Sequence, residues 1–162
     1  MSKESYSRLK CPAGKALSIL GDQWTLMIAR DALYGIKRFE GFQSSLGISR
    51  NLLTRRLKDM TDNGLLRREI IPGTRRYAYH PTRKCVDLRT TLLALSAWGD
   101  NWLPEEEGPR LVLRERKTGD PVTVGYVNEI DGTNVKASEI DILPGPGAHP
   151  DLIRRLEYQG SS

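Results

Sequence analysis

RFEGFQSSLGISRNLLTRRLKDMTDNGLLRREIIPGTRRYAYHPT, residues 38–82, reads as a helix, a tight turn, a basic helix and an arginine-tipped hairpin. The basic helix is predicted over about 49–63. Ser49 has a hydroxyl able to cap the free backbone donors of a first turn, and Asn63-Gly64 suits a left-handed helix end. Gly47 fits a sharp turn before it. At 3.6 residues per turn, Leu53, Leu57 and Met60 share an inward stripe. Asn51, Arg55 and Lys58 point the opposite way, with Arg50 and Thr54 flanking them.

That outward face carries donors and positive charge. Arginine and asparagine bond bidentately to guanine and adenine edges, each good pair discriminating by roughly 1–3 kcal/mol, and the first turns of such a helix reach the bases. Arg50, Asn51, Thr54 and Arg55 are therefore expected to read sequence, with Ser49 and Lys58 completing the DNA-facing set. Arg56 lies nearer the buried stripe, so either a phosphate contact or an internal ion pair is expected of it.

After Gly64 the period changes. Leu66 to Ile71 runs into Pro72-Gly73-Thr74, and Arg75 to Tyr79 runs back, a hairpin over about 66–80. Arg75 and Arg76 fall at its tip, within reach of backbone phosphates or a neighbouring minor groove. A basic amphipathic helix alone is commonly a solvated surface, and an arginine pair in a turn is commonly bland. Their order along the chain favours DNA.

Several ordered blocks, Cys11-Pro12, Ala16 to Leu26, Arg38-Phe39, Ile48-Ser49, Leu53 to Leu57, Asp62 to Leu65 and Tyr79 to Thr82, resemble the HxlR family of bacterial winged-helix regulators, relatives of the MarR group. The resemblance covers roughly residues 8–103. It implies a homodimeric transcription factor, expected here to be a repressor, that binds a palindromic or direct-repeat operator. It further implies a dimer interface built from the helix after the wing and the segment before the first helix. Lys84-Cys85 departs from the Lys-Gly pair common in the family, which loosens where the last helix begins.

Charge divides the chain. Residues 1–104 hold 18 Lys and Arg against 9 Asp and Glu, net +9, whereas 105–162 hold 7 against 11, net −4. A basic field of this kind favours salt-sensitive association with DNA, although it also serves at lipid surfaces or for solubility. No apolar run approaches the roughly 20 residues needed to span a bilayer, and the N-terminus lacks an apolar signal core, so a cytoplasmic protein is expected. The expected class is α+β: a mainly helical winged helix-turn-helix domain with a two-stranded wing over 1–104, and a small β-rich extension over 105–162.

Within the first part, Leu17, Leu20, Trp24, Met27 and Ile28 recur at helical spacing, interrupted at Gly21-Asp22, which predicts two helices or one bent helix. Trp24 is expected as a core anchor. Thr82 can cap a long helix reaching about Trp102, whose Leu92, Leu93, Leu95, Trp98 and Trp102 exceed what one small domain covers. Either a partner subunit or the folded-back tail must cover the surplus. In the extension, 111–114, 121–127 and 135–140 read as strands, and 151–158 as a last helix before a loose end.

Two cysteines cannot form a disulfide framework, and with His80 and His149 they match no common metal site. No Cys follows position 85, so the extension lacks ligands for a structural zinc; no metal or cofactor is expected. Cys11, before Pro12 at a helix start and near Lys10 and Lys15, is the candidate redox or electrophile sensor, a role several relatives are thought to give a Cys-Pro thiol. Its alternative is an inert, half-buried thiol at the dimer interface. Cys85 is expected to be inert. Catalysis finds no phosphate loop, His-Glu-x-x-His pair or nucleophile elbow, and the chain is not expected to be an enzyme. The competing function is a winged-helix protein-interaction module without DNA binding. The preferred one is an operator-binding homodimer answering to a small-molecule effector or to oxidation, with no membrane partner.

Overall fold

The computed structural model describes residues 11–159, with side chains as far as Leu156. The segment before the first helix, including Lys10, and the end at 160–162 lie outside the described residues.

Helix α1, Pro12–Leu20, opens where Cys11 turns extended: its Sγ accepts the Gly14 N–H at 3.2 Å, and Pro12 takes a position whose missing donor has no helical partner anyway. The chain closes tightly at Gly21, whose N–H donates to the Leu17 carbonyl at 2.7 Å. A Cβ there would lie 2.5 Å from that oxygen, so a glycine is required. Asp22 then starts α2, Gln23–Leu33, its Oδ1 accepting the Trp24 N–H at 3.1 Å. Gly21-Asp22 thus separates two helices.

Helix α3, Phe39–Leu46, ends at Gly47 with φ 61°, the left-handed value glycine adopts without a Cβ penalty. Helix α4, Arg50–Asp62, follows after two residues. Its end is a Schellman motif: Gly64, at φ 69°, donates to Thr61 O, and Leu65 donates to Met60 O at 2.8 Å. Strands β1, Leu66–Ile70, and β2, Tyr77–Pro81, pair antiparallel from Leu66 opposite Pro81 to Ile70 opposite Tyr77. A bridge between Arg38 and Ala78, and the Tyr79 N–H donating to Lys37 O at 2.8 Å, lay the approach to α3 beside the hairpin. The wing is therefore tied to the helical unit rather than projecting freely.

One core serves these parts. Ile28, Ala29 and Ala32 of α2 meet Phe42, Ile48, Leu53, Leu57, Met60, Leu65 and Leu66, with Cys85 and Leu92 closing the far side and Trp24 half-buried against it. Phe42 and Tyr79 pack edge to face with centroids 6.5 Å apart, which joins α3 to the wing. Leu53, Leu57 and Met60, each at most 1% exposed, fix which face of α4 looks outward; every such burial stabilises by about 1.5–3 kcal/mol.

After the wing the expected single helix is two. Thr82 does cap, its hydroxyl accepting the Cys85 N–H, but α5 covers only Arg83–Val86 before α6, Arg89–Trp102. At Asp87 and Leu88 ψ relaxes to −18° and −10°, and the Leu88 N–H bonds Cys85 O three residues back. The turn tightens there, and Cys85 and Leu92 reach the core from either side of it.

The extension holds less strand than its composition predicts. Among the described residues of the extension only β3, Tyr126–Val127, and β4, Asn134–Val135, pair, with one bridge between Arg114 and Pro121; 137–139 form a 3₁₀ turn. The turns at Gly119 and Gly132 are as expected, both glycines at positive φ, but the runs between them have no larger sheet to join. Helix α7 spans Pro150–Gln159. Part of the extension lies along α6: Leu93, Ala97 and Asp100 face Leu111–Leu113 and Pro121–Val124 across a cavity of about 260 Å³. Leu95, Trp98 and Trp102, a second stripe of α6, stay 53%, 55% and 71% exposed. The tail thus covers one side of this helix and leaves the other open.

Candidate nucleic-acid interface

Helix α4 owes its exposure to its ends and its inward stripe. The Ser49 hydroxyl accepts the Leu52 N–H, fixing the first turn, and the buried leucines hold the helix so that Arg50, Asn51, Thr54, Arg55 and Lys58 face solvent. Asn51 and Arg55 make no side-chain hydrogen bond or ion pair among the described residues, so their donors are available. Thr54 donates to its own helix at Arg50 O, leaving its methyl and a lone pair outward. Lys58 bonds Asp62 one turn on, and that hydrogen bond raises its pKa; its charge is shared with a carboxylate.

Arg56 turns inward, the ion-pair alternative. Its guanidinium reaches Asp22 Oδ2 at 2.5 Å and Asp59 Oδ2 at 3.4 Å, with 12% of the side chain exposed. It ties the start of α2 to the middle of α4, while the same Asp22 caps α2 through its other oxygen. This removes Arg56 from the outward face.

At the wing tip Arg75 and Arg76 are both exposed, and Arg76 lies 3.5 Å from Glu40. The groups that join the wing tip to α4 are not visible in the sequence. Arg50 sits over the Phe39 ring at 5.2 Å, and Arg68 over Tyr77 at 4.8 Å. Arg38, Phe39, Glu40, Arg50, Arg76 and Tyr77 line one notch of about 250 Å³. The Arg38-Phe39 pair was visible as a sequence block, but its place depends on the bridge to Ala78, which no helical periodicity shows. On β1, Arg67 pairs with Glu69 instead of facing outward alone.

The two thiols are placed differently. Cys11 is half-buried at the α1 cap, whereas Cys85 is fully enclosed and burial pushes its thiol pKa up. Cys85 therefore holds its proton in the fold, and the stability this contributes is present below the ordinary thiol pKa and is lost as pH rises through the raised one. Iodoacetamide on the native protein at neutral pH is expected to alkylate Cys11 well before Cys85, which reacts only after denaturation. Equal rates by mass spectrometry would contradict the burial.

Two helices joined by the three residues Gly47 to Ser49, an exposed basic second helix and a tied hairpin define a winged helix-turn-helix protein. Residues 19–107 match the HxlR-like helix-turn-helix family, and the chain belongs to it. It is a transcriptional regulator of that family. An HTH-type transcriptional regulator of Mycobacterium tuberculosis, itself uncharacterised, is 34% identical over 137 residues, 83% of this chain and 85% of the relative. A solved Pseudomonas aeruginosa protein described as a candidate transcription factor is 37% identical, with a TM-score of 0.63, covering 90% of this chain and 99% of its own. The reduced form of the Bacillus subtilis transcriptional regulator YodB is 30% identical with a TM-score of 0.50, over 62% of this chain and 99% of that one. Among the described residues no helix is long and apolar enough to cross a membrane.

Proposed function

We propose that the chain is a homodimer that binds operator DNA sequence-specifically, α4 lying in the major groove and the wing on the flanking backbone or minor groove. The observation that carries this is the outward face of α4, where Asn51 and Arg55 stand without partners among the described residues, beside an arginine-tipped wing anchored to the same core. Asn51 and Arg55 read base edges, Thr54 contacts a thymine methyl or a base edge, Ser49 and Lys58 meet the backbone, and Arg75 and Arg76 extend the contact along the duplex. Arg56 serves through the position it gives α4. A gel shift on DNA upstream of its own and neighbouring genes tests this; no specific shift on any fragment would sink it.

Dimerisation uses the open stripe of α6. Leu95, Trp98 and Trp102 recur at i, i+3 and i+7 and each stays more than half exposed, an apolar stripe suited to a second copy's surface. The second chain sets the separation of two α4 helices, and so which half-site spacing fits. Trp98→Glu is expected to convert a dimer to monomer in sedimentation velocity with the far-UV circular dichroism unchanged. A wild-type monomer at the concentrations used for DNA binding would remove this part.

The signal is read at Cys11. Its sulfur caps α1, so oxidation or adduct formation changes the start of a helix packed against α2. The kinship with YodB, solved in a form described as reduced, supports a redox signal. An effector acts only by favouring one separation of the reading helices over another.

A further inference from the structure

The notch between α3, the start of α4 and the wing is not explained by base reading. Arg38, Arg50 and Arg76 enter it from three different elements, and Phe39, Tyr77 and Tyr79 form its floor. Arg50 opens α4 and was expected to read bases, yet its guanidinium lies over the Phe39 ring at 5.2 Å, back toward α3. Stacking by the face leaves the in-plane N–H donors free for a bidentate oxyanion. An oxyanion already stands there: the Glu40 carboxylate lies 3.5 Å from the Arg76 guanidinium. The backbone on both sides is held by the Arg38–Ala78 bridge and the Lys37–Tyr79 hydrogen bond, so the arrangement exists before any ligand arrives.

We propose that this notch is a clamp for one DNA backbone phosphate, gripped by Arg38, Arg50 and Arg76, with Glu40 as the carboxylate that the phosphate displaces. The inference rests on the reading of α4 as the groove helix: a strand leaving that groove toward the wing passes over the notch. It gives Arg50 a positioning role, fixing register without reading sequence, and leaves discrimination to Asn51 and Arg55. Glu40 holds Arg76 in the free protein and weakens the hold on arbitrary DNA.

The test is fluorescence anisotropy on several unrelated duplexes over a salt series, with wild type, Arg38→Ala, Arg50→Ala, Arg55→Ala and Glu40→Gln. Arg38→Ala and Arg50→Ala are expected to weaken binding to every duplex alike and to lower the slope of log affinity against log salt by about 1. Glu40→Gln is expected to bind all of them several-fold tighter, a gain that misfolding cannot produce. On a bound fragment, a single methylphosphonate at the clamped position should cost wild type affinity and cost Arg38→Ala none. Unchanged salt slopes for Arg38→Ala and Arg50→Ala, or losses confined to certain sequences, overturn the clamp while wild-type binding still upholds the groove reading. Absence of salt-dependent binding by wild type to any duplex overturns both.

Discussion

Arg55→Ala is expected to remove sequence-selective DNA binding while leaving the fold untouched. The side chain is exposed and makes no bond to the rest of the described chain, so its loss should change stability by no more than about 0.5 kcal/mol. Its contribution lies in the complex. A bidentate arginine–guanine contact discriminates by roughly 1–3 kcal/mol, and a dimer loses two of them, so affinity for a preferred site should fall about thirtyfold or more while affinity for random duplex falls much less. Anisotropy titrations against both kinds of DNA measure the ratio. A uniform loss on both would turn Arg55 into a phosphate contact.

Its neighbour should behave in the opposite way. Arg56→Ala leaves Asp22 and Asp59 without the guanidinium between them and loosens α2 from α4. Removing one partner of a buried ion pair costs about 3–5 kcal/mol, and partial exposure of the two carboxylates lowers that to roughly 2–3 kcal/mol here. Melting should fall by about 5–10 °C. Arg56→Lys is not expected to restore it, because one ammonium cannot bridge two carboxylates as a planar fork does. Well below the melting temperature the variant should keep its preference for the same DNA sequence, since Asn51 and Arg55 are unaltered. A melt equal to wild type would contradict the role of the Asp22–Arg56–Asp59 link.

These adjacent arginines also show how far the sequence could be read. The period of Leu53, Leu57 and Met60 separates an outward Arg55 from a flanking Arg56, and Ser49 and Gly64 mark the helix ends through local capping chemistry. That information lies within a turn or two of chain. The acceptor for Arg56 is Asp22, 34 residues away, and only the packing of α2 on α4 brings them together. The notch is non-local in the same way, since Arg38, Arg50 and Arg76 meet only because the approach to α3 bridges the wing. The break at Asp87-Leu88 was hidden for another reason. Its residues are compatible with a continuous helix, Cys85 and Leu92 being seven residues apart and so on one face of such a helix, and the tightened turn shows only in the backbone at Asp87 and Leu88. In the extension, valine-rich alternation suggested longer strands than the two-residue pairs that form, because β-propensity needs a packed neighbour to become a sheet.

In the proposed mode of action an exposed face of α4 reads DNA as one half of a symmetric pair. Repeated selection of bound duplexes from a random-sequence pool by the protein is the decisive experiment. One half-site should be enriched and should occur twice, its centres about one helical turn or a multiple of it apart. Arg55→Ala, carried through the same selection, should enrich a motif degenerate at the base Arg55 contacts. Recovery of unenriched sequence after repeated rounds, with wild type holding all duplexes equally, would contradict it.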